Sequence, residues 1–284
     1  MKNKEKNIGF ILFVVFAVLP FTLAFGYALL YSFGIIGVVN EGFTLEFWKQ
    51  ILTSPTLGVS FLYSSIIASI GVLLSVSLAL WVVLNFKESF NNKYISFIIY
   101  MPLAVPGIVS AFFTYQLFAK SGFFSRISYK FGWIDSINQF PNLVNDNLAI
   151  GIIITFVSLL TPFFVLLYLN IYKDERIEEL SQLSKSLGAN KNQIALKVSL
   201  PIMLKKSWIL IVLYFIFLLG AYEVPLILGQ ESPQMLSVLI LRELKQFDLT
   251  KISEGYAMAV VYTVIIMLVT IFIFSRKKLR SNAY

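Results

Sequence analysis

The sequence predicts an all-α integral membrane protein with six transmembrane helices, and three observations predict it. Of 284 residues, 58% are hydrophobic and only 13% are charged, about half the charged share of a soluble domain. Uncharged runs recur along the chain at roughly the 20-residue length that crosses a bilayer core. The 23 Lys and Arg are spread unevenly between alternate loops, as the positive-inside rule requires of a multi-pass protein.

Taken in order, the first span is predicted at about 8–33, ahead of Gly34 and Gly37. Met1-Lys-Asn-Lys-Glu-Lys before it resembles the charged start of a signal peptide. The uncharged run is too long for one and no A-x-A cleavage site follows, so a retained helix is expected. Pro55 and Gly58 begin the second span, at about 58–84. The third, at about 94–119, carries Pro102 and Pro106, and the fourth, at about 147–172, carries Pro162. The fifth, at about 207–230, is interrupted only by Glu223, and the sixth lies at about 255–275. The run 232–241 is too short to cross and reads as interfacial or re-entrant. No repeat or linker divides the chain, so 1–284 reads as one transmembrane domain.

With both termini in the cytoplasm, segments 1–7, 85–93, 173–206 and 276–284 lie inside and hold 16 of the 23 Lys and Arg. The outer segments hold 7, against 8 Asp and Glu. The net charge of +8 is therefore a sign of orientation and not a nucleic-acid footprint. The chain has no Cys and no His, which removes thiol nucleophiles, disulfides, iron–sulfur clusters and the common zinc sites. It also removes the usual proton carrier near neutral pH. No catalytic residue and no metal site is expected.

Segment 173–206 is hydrophilic and patterned. Ile177, Leu180, Leu183 and Leu187 line one face of a helix. Asp174, Glu175, Glu178 and Glu179 crowd its start, where the positive end of the helix dipole favours them. Gly188 reads as a left-handed C-terminal cap. Asn190 with Gln193 comes close to a capping box for a second short helix, running to about Leu200 before Pro201. The plain alternative is an amphipathic connector lying on the membrane surface.

After Gly188 come nine residues and then Val198-Ser199-Leu200-Pro201. This resembles the cytoplasmic signature loop of type I permeases of binding-protein-dependent ABC importers. The family pattern is Glu-Ala-Ala, three residues, Gly, nine residues, a branched aliphatic, any residue, Leu, Pro. The triplet falls on Gln182-Leu183-Ser184 and departs at all three positions, with Glu178 and Glu179 just upstream. Tyr100-Met-Pro-Leu-Ala-Val-Pro-Gly and Gly220-Ala-Tyr-Glu-Val-Pro-Leu-Ile-Leu-Gly resemble parts of the third and fifth helices of the polyamine, iron and thiamine importers. The resemblance covers roughly 43–275.

The resemblance implies a six-helix permease whose coupling helix-turn-helix, between helices 4 and 5, docks into a separate ATPase subunit. The docking residues would be Glu178, Glu179, Gln182, Gly188, Ala189, Leu200 and Pro201. Partners would be two ATPase copies, a second permease of the same or a sister chain, an extracytoplasmic solute-binding protein and membrane lipid. The setting would be a bacterial cytoplasmic (inner) membrane. ATP and Mg would bind the ATPase, because this chain has no G-x-x-x-x-G-K-[ST] loop; no cofactor of its own is expected.

Pro102 and Pro106, four apart, read either as a kink lining the solute pathway or as an ordinary transmembrane kink. Glu223 is the one charge inside an expected span, so it needs a partner, water or a proton. Gln116 and Tyr115 are candidate partners. A pathway-facing Glu223 and one snorkelling at the outer surface both stay open. An ion-coupled secondary carrier or channel is the alternative function, with Glu223 alone available for coupling.

Overall fold

The computed structural model describes residues 9–38 and 42–281. Every regular element among them is helical. In chain order these are α1 (Gly9–Ser32), α2 (Glu46–Thr53), α3 (Pro55–Phe86), α4 (Lys93–Leu103), α5 (Gly107–Phe118) and α6 (Phe123–Lys130). Then come α7 (Ile150–Asp174), α8 (Ile177–Ser186), α9 (Lys191–Leu219), α10 (Glu223–Leu228), α11 (Leu236–Leu244) and α12 (Leu249–Ser281).

Among the described residues five helices are long and apolar enough to cross a bilayer: α1, α3 with the 3-10 turn that follows it, α7, α9 and α12. A sixth crossing exists only if α4 and the α5–α6 stretch count as one span, and they are bent by 100°. The third span is thus not the continuous helix at 94–119 that hydropathy suggests. Pro102 sits in the last turn of α4, and Pro106 takes an extended backbone and caps α5. The two prolines bracket a break, because neither can donate an amide to the turn before it.

The fifth span also differs. The helix begins at Lys191, well before 207, runs through Pro201 and stops at Leu219. Pro201 therefore does not end the second arm of segment 173–206. The residues just before it, Ala195–Ser199, form a π turn in which the Leu200 amide bonds the Ala195 carbonyl. The wider turn moves the carbonyls away from the proline ring and leaves no amide wanting at that position. The same arrangement recurs in α1, where π turn Val14–Val18 precedes Leu19-Pro20. Helix α12 starts at Leu249 and continues to Ser281, longer at both ends than 255–275.

The chain forms two compact units, residues 1–59 with 238–284, and residues 60–237. In the first, α12 packs against α1 and α2. Tyr27, Tyr31 and Tyr256 meet there, with the Tyr31 and Tyr256 rings 4.3 Å apart.

In the second unit α7 is the central helix, packed against α4, α5, α9 and α10. Lipid gives apolar side chains no reason to leave it, so such helices associate through small residues and polar contacts. Both are present. The buried face of α3 repeats Ser60, Ser64, Ala68, Gly71, Ser75 and Ala79 at spacings of four and three. Buried hydroxyls join Thr155 to Thr114 at 2.8 Å, from α7 to α5, and Tyr168 to Ser207 at 3.1 Å, from α7 to α9.

Candidate functional site

Two places in the second unit gather the residues that the sequence singles out. The first is the segment between α7 and α9. The chain turns sharply out of α7 at Glu175-Arg176, where Arg176 has φ +48, and enters α8. Glu178 and Glu179 stand in the first turn of α8, whereas Asp174 still belongs to α7. Helix α8 ends in a Schellman motif: the Ala189 amide bonds the Ser184 carbonyl at 3.0 Å and the Gly188 amide bonds Lys185 at 2.9 Å. Gly188 has φ +87, a conformation that costs a residue with a Cβ about 1–2 kcal/mol. Asn190 then caps α9 in a complete capping box, its side chain accepting from the Gln193 amide while Gln193 accepts from the Asn190 amide. Ala189 lies between the two caps.

Of the apolar stripe on α8, only Ile177 is buried. Leu183 is 62% exposed, Leu187 88%, and Leu196 on the following arm 65%. Glu179 and Gln182 are exposed beside them, Leu200 is half-buried and Pro201 exposed. Glu178 is engaged within the chain. Its carboxylate accepts from the Lys87 ammonium and, at 2.9 Å, from the Tyr172 hydroxyl. The bond from Lys87 first, and that from Tyr172 second, holds its carboxyl below the ordinary 4.5. Glu175 pairs with Lys206 at 2.6 Å, across the other side of the same corner.

The second place is the pair of breaks. Between α9 and α10 the backbone leaves the helix at Gly220-Ala221-Tyr222, and the Ala221 carbonyl accepts from the Ser237 hydroxyl. Glu223 therefore does not lie within a continuous span; it opens α10. Its Oε2 accepts a hydrogen bond from the Ile108 amide at 3.1 Å, in the first turn of α5. Pro106, the N-cap residue there, provides no side-chain acceptor, so Glu223 supplies the cap from another element. A carboxylate suits that position, where free amides and the helix dipole both favour an anion.

The close approach needs Gly107: a Cβ there would stand 3.2 Å from Glu223 Oε2 and 3.7 Å from Val224. Gln116 does not take part. It lies eight residues along α5 from Ile108, about 12 Å of helix rise, and lines a different groove with Phe113 and Arg126. Tyr115 is likewise not the partner of Glu223. A cavity of about 680 Å³ opens beside Glu223, lined also by Phe156, Leu160, Tyr214 and Tyr222.

The sequence matches, over residues 71–276, the family described as binding-protein-dependent transport system inner membrane component. That match spans both places and most of the chain. The chain belongs to this family. It is a multi-pass inner-membrane permease of a binding-protein-dependent importer, and the family is a transport component and not a catalytic domain. No match was found among curated proteins.

Three groups at these two places carry no mark in the sequence pattern. Lys87 reads only as a loop charge and Tyr172 only as a span end, and the Ile108 amide does not show at all. A backbone donor has no signature in side-chain pattern. The signal is Pro106 itself: a helix that restarts after it leaves an unmet amide near Gly107.

Proposed function

We propose that this permease is the membrane subunit of an ATP-driven importer, with segment 173–206 as the docking element for a separate ATPase. The carrying observation is the form of that segment. A short helix locked by a Schellman motif and followed by a capping box is a stiff lever, and its leucines Leu183, Leu187 and Leu196 are largely exposed. Glu179, Gln182, Gly188, Ala189, Leu200 and Pro201 frame the docking face. Two ATPase copies would bind ATP and Mg and drive a second permease, identical or sister, together with this one. Both termini and segment 173–206 face the cytoplasm, as the Lys and Arg distribution supports.

The solute comes from an extracytoplasmic binding protein and passes the cavity beside Glu223. Pro102 and Pro106 create the break that the cavity adjoins, and Glu223 gives it a carboxylate. The polyamine, iron and thiamine class is favoured by the two proline-containing motifs, and a carboxylate at the cavity suits a cationic solute. The deciding experiment reconstitutes the purified complex in vesicles and identifies the solute released by its binding protein. Uptake that requires ATP and the ATPase supports the reading. Uptake driven by an ion gradient without ATP refutes it in favour of a secondary carrier.

A further inference from the structure

We infer that Lys87, Tyr172 and Glu178 form a strut that fixes the docking segment to the second and fourth spans, so that a push on the segment moves both spans as one. The inference rests on the ATPase-docking reading above and assigns a part within it that the docking face itself does not explain.

Three elements meet at one carboxylate oxygen. Lys87 stands in the 3-10 turn Lys87–Asn91 that follows α3. Tyr172 belongs to the last turn of α7 and is buried, while Glu178 opens α8. The Lys87 ammonium donates to the Tyr172 hydroxyl at 2.6 Å and to Glu178 Oε2, and the Tyr172 hydroxyl donates to the same oxygen. The ammonium also lies 4.3 Å from the centre of the Tyr172 ring, within cation–π range.

An isolated surface ion pair would contribute little, because two long side chains must be ordered for one weak attraction. Here a buried tyrosine, itself fixed by α7, orders both ends. Its hydroxyl accepts from one and donates to the other, so loss of any member unsettles the other two.

The position of the strut gives it a mechanical meaning. The corner Glu175-Arg176 is a single sharp turn, with Arg176 in the left-handed region. Without further ties, one such corner would be the single backbone link between α7 and α8. Glu178 ties it to α3 on one side and Glu175 ties it to Lys206 of α9 on the other. Thus the helix that carries the exposed leucines is connected to the spans by α7, by Lys87 and by Lys206, and a change of angle at the corner strains both ion pairs. Glu178 is accordingly a positioning residue for coupling and not a contact offered to the partner. Glu179 and Gln182 remain on the docking face.

The test uses the purified permease–ATPase complex in lipid vesicles, with Lys87→Met, Tyr172→Phe, Glu178→Gln, the Lys87→Met/Glu178→Gln pair, and Lys87→Arg as the conservative control. Two quantities are read: amide exchange across 177–186, and solute imported per ATP hydrolysed. Each non-conservative single variant is expected to speed exchange and lower import per ATP by about fivefold. The pair should be no worse than either single, since both remove one joint contact. Lys87→Arg should stay within about twofold, keeping the cation.

Unchanged exchange in the singles, or losses that multiply in the pair, would overturn the strut. So would a parallel fall of import and ATP hydrolysis, which marks a merely stabilising contact. If wild-type uptake proves independent of ATP, the functional reading fails on its own, and the exchange data still decide whether the three residues hold the segment.

Discussion

Substitution of Gly107 probes the Glu223 cap without touching the carboxylate. In Gly107→Ala the new Cβ would meet Glu223 Oε2 at 3.2 Å, tighter than ordinary van der Waals contact. The carboxylate must retreat by a few tenths of an ångström, and its bond to the Ile108 amide, already 3.1 Å long, stretches. Complete loss of a capping acceptor costs about 1 kcal/mol, with the anion–dipole attraction making up roughly half. Gly107→Ala loses part of this, about 0.5 kcal/mol, and regains about 0.5–1 kcal/mol because Ala holds a helical backbone better than Gly. Glu223→Gln keeps an acceptor and loses the charge, again about 0.5 kcal/mol. Glu223→Ala forfeits all of it, about 1 kcal/mol, or on the order of 2 °C in melting temperature for a domain of this size.

The assay is thermal unfolding of the detergent-purified permease alongside amide exchange at Ile108, followed by uptake at matched protein levels. The expected order of stability is wild type, then Glu223→Gln, then Glu223→Ala, with Gly107→Ala close to wild type because the helix preference of Ala offsets the weakened cap. Gly107→Ala should stabilise the Glu223→Ala background by about 0.5 kcal/mol more than it does wild type, since no carboxylate remains to be displaced there. An effect of Gly107→Ala that is the same in both backgrounds would refute the reasoning, as would Ile108 exchange unaltered in Glu223→Ala. Uptake then separates the cap from the solute. For a neutral or anionic solute, Glu223→Gln should lose little; for a cationic one, its uptake should fall as far as that of Glu223→Ala.

Reporter fusions after Lys93 and after Arg280 should read as cytoplasmic and one after Lys130 as external; any on the opposite side overturns the orientation. Gly188→Val meets no neighbour within 4 Å, so its cost is the left-handed backbone alone, about 1–2 kcal/mol; membrane insertion should persist while ATP-driven uptake falls, and full uptake would refute the lever. Tyr168→Phe removes the buried bond to Ser207 and should lower stability by about 0.6–1.7 kcal/mol, measured by thermal unfolding. The Glu178 carboxyl is held below 4.5 by Lys87 and Tyr172, and a depressed carboxyl stabilises the fold above its unfolded value and loses that contribution as pH falls through the folded one. Exchange across 177–186 should therefore be flat with respect to protonation of this group between about pH 5 and 8 and rise in acid below about 4.5, a rise that Glu178→Gln should abolish; a rise already complete at pH 6 would place Glu178 outside the strut.

The parts of this fold that were legible in the sequence are those set by local chemistry. Gly188 and the Asn190–Gln193 box announced themselves because helix ends must satisfy their own backbone groups with residues close in the chain. Span positions followed from hydropathy wherever a helix begins and ends with its apolar stretch, as α7 nearly does. They slipped where a helix outruns the membrane. Lys197, Lys205 and Lys206 lie within α9, so charge alone placed its start too late. The π turns ahead of Pro20 and Pro201 were not legible, because whether a proline stops a helix depends on the width of the turn before it.

What neither pattern nor hydropathy can supply is the partner of a polar group across the bundle. Glu223 was recognisable as a carboxylate in need of something, and side chains with complementary chemistry were the natural candidates. The actual donor is the Ile108 amide, exposed only because Pro106 breaks the third span. Each break thus answers the other: the fifth span stops short and presents an acid, the third stops short and presents an amide, and Gly107 leaves the space between them. Read as separate kinks, the two motifs are each a defect in a transmembrane helix. As a pair they are one polar joint at the rim of the cavity, and a solute that drew the carboxylate away would free the start of α5. The Gly107 and Glu223 variants measure how firmly that joint is held.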